Sequence, residues 1–514
     1  MPQIDQLKAH LKLHFNYTSF QPGQKEIIQD IMKGNNVLGI LPTGSGKSLC
    51  YQLPAKLLPG TTIVVSPLIS LMIDQVKYLQ SIHYKNVVAL NSFMEYKERK
   101  QVYERLSMYT LIYISPELLQ QKEVQLYLQQ INISLFVIDE AHCISQWGHE
   151  FRPDYLRLHT IIQKLGSPPV LALSATATAE VQKDIIKFLE IPQMIKHIFP
   201  VDRENIGFCI KEVNNHQEKL LIITKVVSEY HVPTLIYCSS RKSTEFIASH
   251  LLKNIPNKRI AFYHGELAQM DRVMIQQQFM NDQLDVICCT SAFGMGINKD
   301  NIRLIIHYHF PSQIESYIQE VGRAGRDGNS SIGILLYAKN DQYLHKSLIQ
   351  QELPTKEDLS FIFKQLYQLA HQHLRIPMNI HDVMRLFQVS EIQWRYIYFQ
   401  LEKNGIICNE RIIYNRESFL QAFQSINNHR RQRLSIKQSK LLEIIEWIKS
   451  EECFRKNLYK SFQHSYSSTN QCCNNCGFSL DKWTPVYSQQ KNNHGQPWEN
   501  KLKSLLIGVN DESK

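Results

Sequence analysis

Short apolar runs recur along the first two thirds of the chain, each parted from the next by a stretch with helical spacing. They lie at residues 36–41, 61–66, 110–115, 134–139 and 170–174, and again at 234–238, 260–263, 285–289, 303–307 and 332–337. Short runs without polar alternation read as strands buried on both faces. With helices between them such strands pair in parallel, so the pattern predicts two successive α/β sheet domains. In sheets of this kind ligands sit at the carboxyl ends of the strands.

After Ala338 the sheet rhythm stops. Residues 378–388 and 391–404 carry two helical patterns joined by Val389-Ser390, and β-prone runs follow at 406–408 and 412–415. That order suits a helix-turn-helix with a wing, and equally a packed helical bundle. Phe387, Trp394 and Tyr398 read as core. Arg430, Arg431, Arg433, Lys437 and Lys440 form a basic run that suits a nucleic-acid backbone or a solvated face. Residues 441–452 continue as a helix into Cys453.

The chemistry gathers at the strand ends. The first run leads into Leu41-Pro42-Thr43-Gly44-Ser45-Gly46-Lys47-Ser48, with a helix after it to residue 58. Thr43, Gly44, Ser45 and Gly46 form a turn whose backbone N–H groups can converge on phosphate oxygens. The helix N-terminus adds partial positive charge. Lys47 can reach the β/γ-phosphates of ATP, and the Ser48 hydroxyl can ligate Mg²⁺. The strict pattern has Gly where Leu41 stands, so a ligand-free glycine-rich turn is the competing reading. Upstream, Pro22-Gly23 marks a turn before a helix. Gln24 there can offer donor and acceptor to an adenine edge, and Tyr17 can stack on the base.

The fourth run ends in Asp139-Glu140-Ala141-His142. Asp139 can hold Mg²⁺, and Glu140 can polarise the water that attacks a γ-phosphate. Residues 143–153 follow as a loop with Trp147, His149, Phe151 and Arg152 at short spacing, and aromatics on a loop stack on bases. A loop pinned to the core by Trp147 and Phe151 is the alternative. In the second domain, Gln319-Glu320-Val321-Gly322-Arg323-Ala324-Gly325-Arg326 puts two arginines on one face of a short helix. Guanidinium forks suit phosphate oxygens, and one reaching across a cleft stabilises transition-state charge. Residues 239–241, 263–265 and 290–298 are further strand-end turns, suited to phosphate contacts or simply ordinary turns.

A chain of 514 residues holds about three or four domains. Its net charge of +10 points to a polyanionic partner. No apolar run approaches the roughly 20 residues of a membrane span, and the first ten residues lack a signal-peptide core. Eleven cysteines are an odd number, and Cys238, Cys288 and Cys289 sit inside apolar strands. That usage predicts a reducing compartment, the cytoplasm.

The phosphate loop with its helix (L-P-T-G-S-G-K-S-L-C-Y-Q-L-P-A), together with D-E-A-H-C-I-S-Q-W-G-H-E-F-R-P-D-Y, resembles the RecQ family of superfamily 2 DNA helicases, and the match runs from about residue 15 to 328. The resemblance implies two tandem RecA-like parallel-sheet domains (1–197 and 198–345). A mainly helical accessory region follows: the winged-helix-like segment (346–426), a zinc-module-like helical part (427–482) and a tail (483–514). It implies an ATP-dependent helicase moving 3′ to 5′ on single-stranded DNA, opening duplex DNA in recombination and repair alongside single-strand-binding or repair proteins. It gives Trp147, His149, Phe151 and Arg152 the role of coupling DNA to hydrolysis, makes Arg326 the finger across the cleft, and makes Arg323 its helper.

The family carries Arg where Gln21 stands, so cation stacking on adenine is not expected here. Its zinc module shows one Cys and then C-x-x-C-x-x-C. This chain offers Cys453, Cys473 and Cys476, with the missing thiolate at Asn470 or Ser479. Cys472 or His464 could substitute, although register favours neither, and a metal-free hairpin is the alternative. The family's later winged helix has no room in residues 481–514, which points to a shortened, RecS-like bacterial branch. An RNA-stimulated helicase and a DNA-binding regulator acting through the helix-turn-helix are the competing functions.

Overall fold

The computed structural model describes residues 4–91, 93–145, 152–293, 299–377, 379–408, 411–463 and 471–485. Seven strands form the first sheet: β1 (Val37–Ile40), β2 (Thr61–Val65), β3 (Val87–Leu90), β4 (Leu111–Ile114), β5 (Ile133–Ile138), β6 (Val170–Ser174) and β7 (Ile195–Ile198). Their order is β3-β4-β2-β5-β6-β1-β7, and every pairing is parallel. Alternate residues enter opposite cores. Leu38, Ile40, Ile63, Val65, Phe136 and Ile138 pack on one face, and Val37, Val64, Leu135, Val137, Leu171 and Leu173 on the other. Burial on both sides is why these strands read as unbroken apolar runs.

The second sheet holds β8 (Ile206–Glu212), β9 (Thr234–Tyr237), β10 (Ile260–Tyr263), β11 (Val286–Cys289), β12 (Leu304–His307) and β13 (Ser331–Tyr337). The order is β10-β11-β9-β12-β13-β8, again all parallel. One of its faces is covered by the accessory region: Leu441, Ile444, Trp447, Phe454, Tyr459 and Cys473 share a core with Phe208, Tyr317 and Val321.

Helices Ile380–Phe387 and Glu391–Lys403 meet at Gln388, whose φ of 53° turns the chain in the left-handed region. Ser390 and Gln393 close a capping box that fixes where the second helix begins. Strands β14 (Ile407–Cys408) and β15 (Arg411–Ile412) pair antiparallel as a short wing. Phe387, Trp394, Ile397 and Ile406 form a core of their own with Leu359, Ile362 and Leu366, so this is a folded winged-helix-like module. Helix Arg416–Ile448 then runs unbroken for 33 residues. It crosses residue 426, where the resemblance implies a boundary between the winged-helix-like segment and the zinc-module-like part.

Candidate nucleotide site and nucleic-acid interface

β1 delivers the chain to the phosphate loop. Gly44 and Gly46 take φ of 85° and 69°, values that glycine adopts without strain. Leu41, where the strict motif has glycine, is buried beneath the loop, and a Cβ on Gly23 would meet its Cδ2 at 2.5 Å. Helix Leu49–Leu57 starts directly after Ser48, so its free N–H end points back at the loop.

Gln24 is tied to the phosphate loop. Its Nε2 donates to the Ser45 and Gly46 carbonyls at 2.8 and 3.0 Å, while its Oε1 accepts from the Gln21 N–H at 2.9 Å. The amide expected at the adenine edge thus braces the phosphate loop. Tyr17 is 48% exposed, with its hydroxyl 3.4 Å from that of Tyr78.

β5 leads directly into Asp139, which is buried and faces the charges of Glu140 and Lys47. Burial, then the Glu140 charge, raise its carboxyl to about 7, with Lys47 opposing. Glu140 takes φ of 49°, a rare conformation for a side-chain-bearing residue. Its N–H donates to Asp139 Oδ1 at 3.0 Å. His142 Nδ1 lies 3.4 Å from Glu140 Oε2 and 3.0 Å from Ser174 Oγ, joining the acidic motif to the end of β6.

The arginine segment of domain 2 faces this loop. A Cβ on Gly44 would stand 3.0 Å from Arg326 Cγ, and one on Gly322 would stand 3.1 Å from Thr43 Cβ. Arg326 is held near 10, below its ordinary value, by burial and then by the charge of Arg323. Arg323 is buried beside Tyr237. Behind it Glu320 meets His307 at 3.0 Å.

Arg203, which the motif spacing did not single out, adds a third cation. It donates to the Thr43 carbonyl at 2.9 Å and to the Gly325 carbonyl at 2.5 Å. Its only sequence cue is its position in the connection just before β8.

Of the coupling loop, Trp147, His149 and Phe151 lie outside the described residues, as do residues 294–298 of the later strand-end turn. The loop's two ends are tied: the Arg152 N–H donates to the Cys143 carbonyl at 2.9 Å, and Ser145 Oγ donates to Asp184 at 2.5 Å. The Arg152 guanidinium approaches Glu117 at 3.4 Å.

The cysteines converge. The sulfurs of Cys453, Cys472, Cys473 and Cys476 all lie within 4.8 Å of one another, with Cys453–Cys472 at 3.5 Å and Cys473–Cys476 at 3.6 Å. Four thiolates around one zinc at about 2.3 Å stand about 3.8 Å apart, so the set fits a tetrahedral ion. Cys472 therefore stands in the fourth place, for which register had favoured Asn470 (outside the described residues) or Ser479. Backbone bonds to β8 hold the turn: the Phe208 N–H donates to the Cys472 carbonyl at 3.0 Å. A second cluster, His216, His309 and Asp341, has its carboxylate already paired with the Lys219 ammonium at 2.5 Å.

Part of the basic run turns inward, while Arg431 stays exposed. Lys437 pairs with Glu352, and Lys440 with Glu315 at 2.5 Å. Arg433 lies against Tyr396, and Arg430 donates to Asn427. A continuous backbone-tracking stripe is not what these residues form.

Two parallel-sheet lobes closing a phosphate loop, an acidic strand end and facing arginines define a helicase-type nucleoside triphosphatase motor. The DEAD/DEAH box helicase family matches residues 21–185, and the helicase conserved C-terminal domain matches residues 212–328. The chain is 39% identical to the probable ATP-dependent DNA helicase RecS of Bacillus subtilis (strain 168) over 509 residues, covering 98% of each chain. It is 42% identical to the ATP-dependent DNA helicase RecQ of the same organism over 375 residues, which is 71% of this chain and 61% of that protein. The chain thus spans less than two thirds of that longer relative and nearly all of the shorter one. In fold it is similar to Mycobacterium smegmatis Lhr bound to ssDNA and AMP-PNP, with TM-score 0.55 and 18% identity over 81% of this chain and 62% of that one. It is likewise similar to Mss116p bound to ssRNA and AMP-PNP, with TM-score 0.56 and 17% identity over 84% and 94%. The chain belongs to the RecQ family of ATP-dependent DNA helicases, on its short RecS-like branch.

Proposed function

We propose that this motor hydrolyses ATP to move 3′ to 5′ along single-stranded DNA and opens duplex DNA during recombination and repair. Residues 1–197 would carry the nucleotide and 198–345 the opposing arginines. Lys47 reaches the β/γ-phosphates within the cradle of Thr43, Gly44, Ser45 and Gly46. Ser48 and Asp139 would hold Mg²⁺, which draws charge from the phosphates. Glu140 orients the attacking water. Arg326, aided by Arg323, neutralises charge that develops on the transferred phosphoryl group. Tyr17 flanks the base, and Gln24 shapes the loop. The segment bearing Trp147, His149, Phe151 and Arg152 relays strand binding to Asp139 and Glu140, a few residues upstream.

The observation that carries this reading is the approach of Arg326 to Gly44 across the cleft. A finger already at the phosphate loop needs no large rearrangement to act. The four cysteines support a structural Zn²⁺ that ties the accessory turn to β8. No helix among the described residues is long and apolar enough to cross a membrane. A cytoplasmic site on the chromosome, shared with single-strand-binding and repair proteins, is consistent with that and with the positive charge.

Strand displacement on 3′- and 5′-tailed duplexes with ATP tests the reading, with an RNA-tailed substrate in parallel. Opening of the 3′-tailed DNA alone is expected. Equal opening of the 5′-tailed duplex would refute the polarity, and preference for RNA would refute the substrate.

A further inference from the structure

Helix Arg416–Ile448 is a rod about 50 Å long. Its N-terminal half is built into the winged-helix-like core through Phe419, Ala422 and Ile426. Its C-terminal half is built into domain 2 through Leu441, Ile444, Ile445 and Ile448. There Lys440 pairs with the buried Glu315, and Trp447 lies 4.8 Å, centre to centre, from Tyr317. Both partners are on helix Ile314–Val321, which leads directly into Arg323 and Arg326. An unbroken helix fixed at one end moves its other end as a rigid body.

That other end touches domain 1. Glu402, on the second helix of the helix-turn-helix, pairs with Arg157, whose guanidinium carbon lies 5.8 Å from the Phe399 ring centre. Arg395 on the same helix acts electrostatically on Asp154. Asp154 and Arg157 belong to the turn Pro153–Arg157, which follows the aromatic loop. Within that turn the Tyr155 hydroxyl donates to the Asp139 carbonyl at 3.0 Å. One side of this second helix is therefore turned to the motor, at a segment bonded to the catalytic strand end.

We propose that Arg157 and Glu402 are a positioning pair for hydrolysis: through the rod they strap domain 1 to domain 2 and hold Arg326 at the phosphate loop. The inference rests on the ATPase reading above. Opening the cleft would draw the two lobes apart and part Arg157 from Glu402, so on this proposal strap and closed cleft stabilise each other. Breaking the strap lowers the closed fraction, and apparent ATP affinity falls in proportion. Saturating ATP recloses the cleft, so KM moves while kcat holds. The side chains are 39% and 26% exposed, which keeps the effect to a few-fold.

The test uses the full chain with ATP and saturating oligo(dT). Wild-type turnover, measured alongside, checks the hydrolase assignment separately. Glu402→Arg and Arg157→Glu should each raise the ATP KM about three- to five-fold with kcat within two-fold, and the exchanged pair should restore it. Glu402→Gln should give a smaller rise in the same direction. A pair that serves only the stability of the helical module would lower Tm and leave KM alone. Unchanged KM in the single variants, or an exchanged pair no better than they are, overturns the proposal.

Discussion

Arg326 lies against Gly44: a Cβ on the glycine would sit 3.0 Å from Arg326 Cγ, so the two lobes meet at the phosphate loop with no room for a side chain between them. The φ of 85° at Gly44 adds a second reason for glycine there. Removing the finger should leave the lobes and ATP binding largely intact while stripping charge stabilisation from the transition state. Arg326→Ala is expected to lower DNA-stimulated kcat by about 10³-fold with a small change in ATP affinity. A rapid-quench assay beside nucleotide-binding fluorescence checks it. A loss confined to affinity would move Arg326 from chemistry to binding.

Gln24 separates two roles by nucleotide choice. Bracing the Ser45 and Gly46 carbonyls serves any triphosphate, whereas bonding an adenine edge serves ATP alone. Gln24→Ala should weaken ATP and GTP alike, by about ten-fold, as expected for the loss of one or two hydrogen bonds. Competition binding of the two nucleotides measures this. Selective loss of ATP would restore the adenine-edge role.

Asp139 supplies a pH signature. Burial raises its carboxyl from 3.8 to about 7, so the metal-free fold favours the protonated form. Its stabilising share is complete below the unfolded value and is lost as pH rises through about 7. Mg²⁺ competes with that same proton. In EDTA, Tm should fall between about pH 4 and 7 more steeply for the wild type than for Asp139→Asn. The Mg²⁺ concentration for half-maximal turnover should rise as pH drops below 7. Parallel Tm profiles for the two proteins would remove Asp139 from this role.

Lys47 and Trp147 divide catalysis from coupling. Lys47→Ala should abolish hydrolysis and keep much of the DNA binding, as read by fluorescence anisotropy. Trp147→Ala should reduce the DNA-stimulated rate more than the basal one. An equal fall in both rates would make the tryptophan a packing residue.

Strands buried on both faces were the most legible part of the chain, because apolar runs such as Leu135–Ile138 admit few other readings. Three strands escaped. All three are edge strands: β7 alternates as Ile195-Lys196-His197-Ile198, β8 ends in Lys211-Glu212, and β3 is a short run directly after Lys85-Asn86. The phosphate loop, the acidic pair and the arginine helix were readable as local spacings. Arg203 was not, since its partners Thr43 and Gly325 are 160 and 122 residues away. The inward turn of Lys437 and Lys440 likewise depends on Glu352 and Glu315, which no local pattern connects to them.

Cys472 shows why spacing alone misleads for metals. Adjacent cysteines point apart in an extended chain, so Cys472 and Cys473 look unable to share an ion. Here Cys473 pairs with Phe208 as a bridge, and the turn to Cys476 folds its sulfur back toward Cys472. If these four hold zinc, Cys472→Ser should lower bound metal from one per chain to well below half, and loosen the turn from β8. Replacing one thiolate in a tetrahedral site weakens the ion without removing the packing of Phe454 and Tyr459. Asn470→Ala and Ser479→Ala should keep full zinc by plasma emission analysis. Zinc retained in Cys472→Ser and lost in either of the others would return the fourth ligand to its spacing-based position.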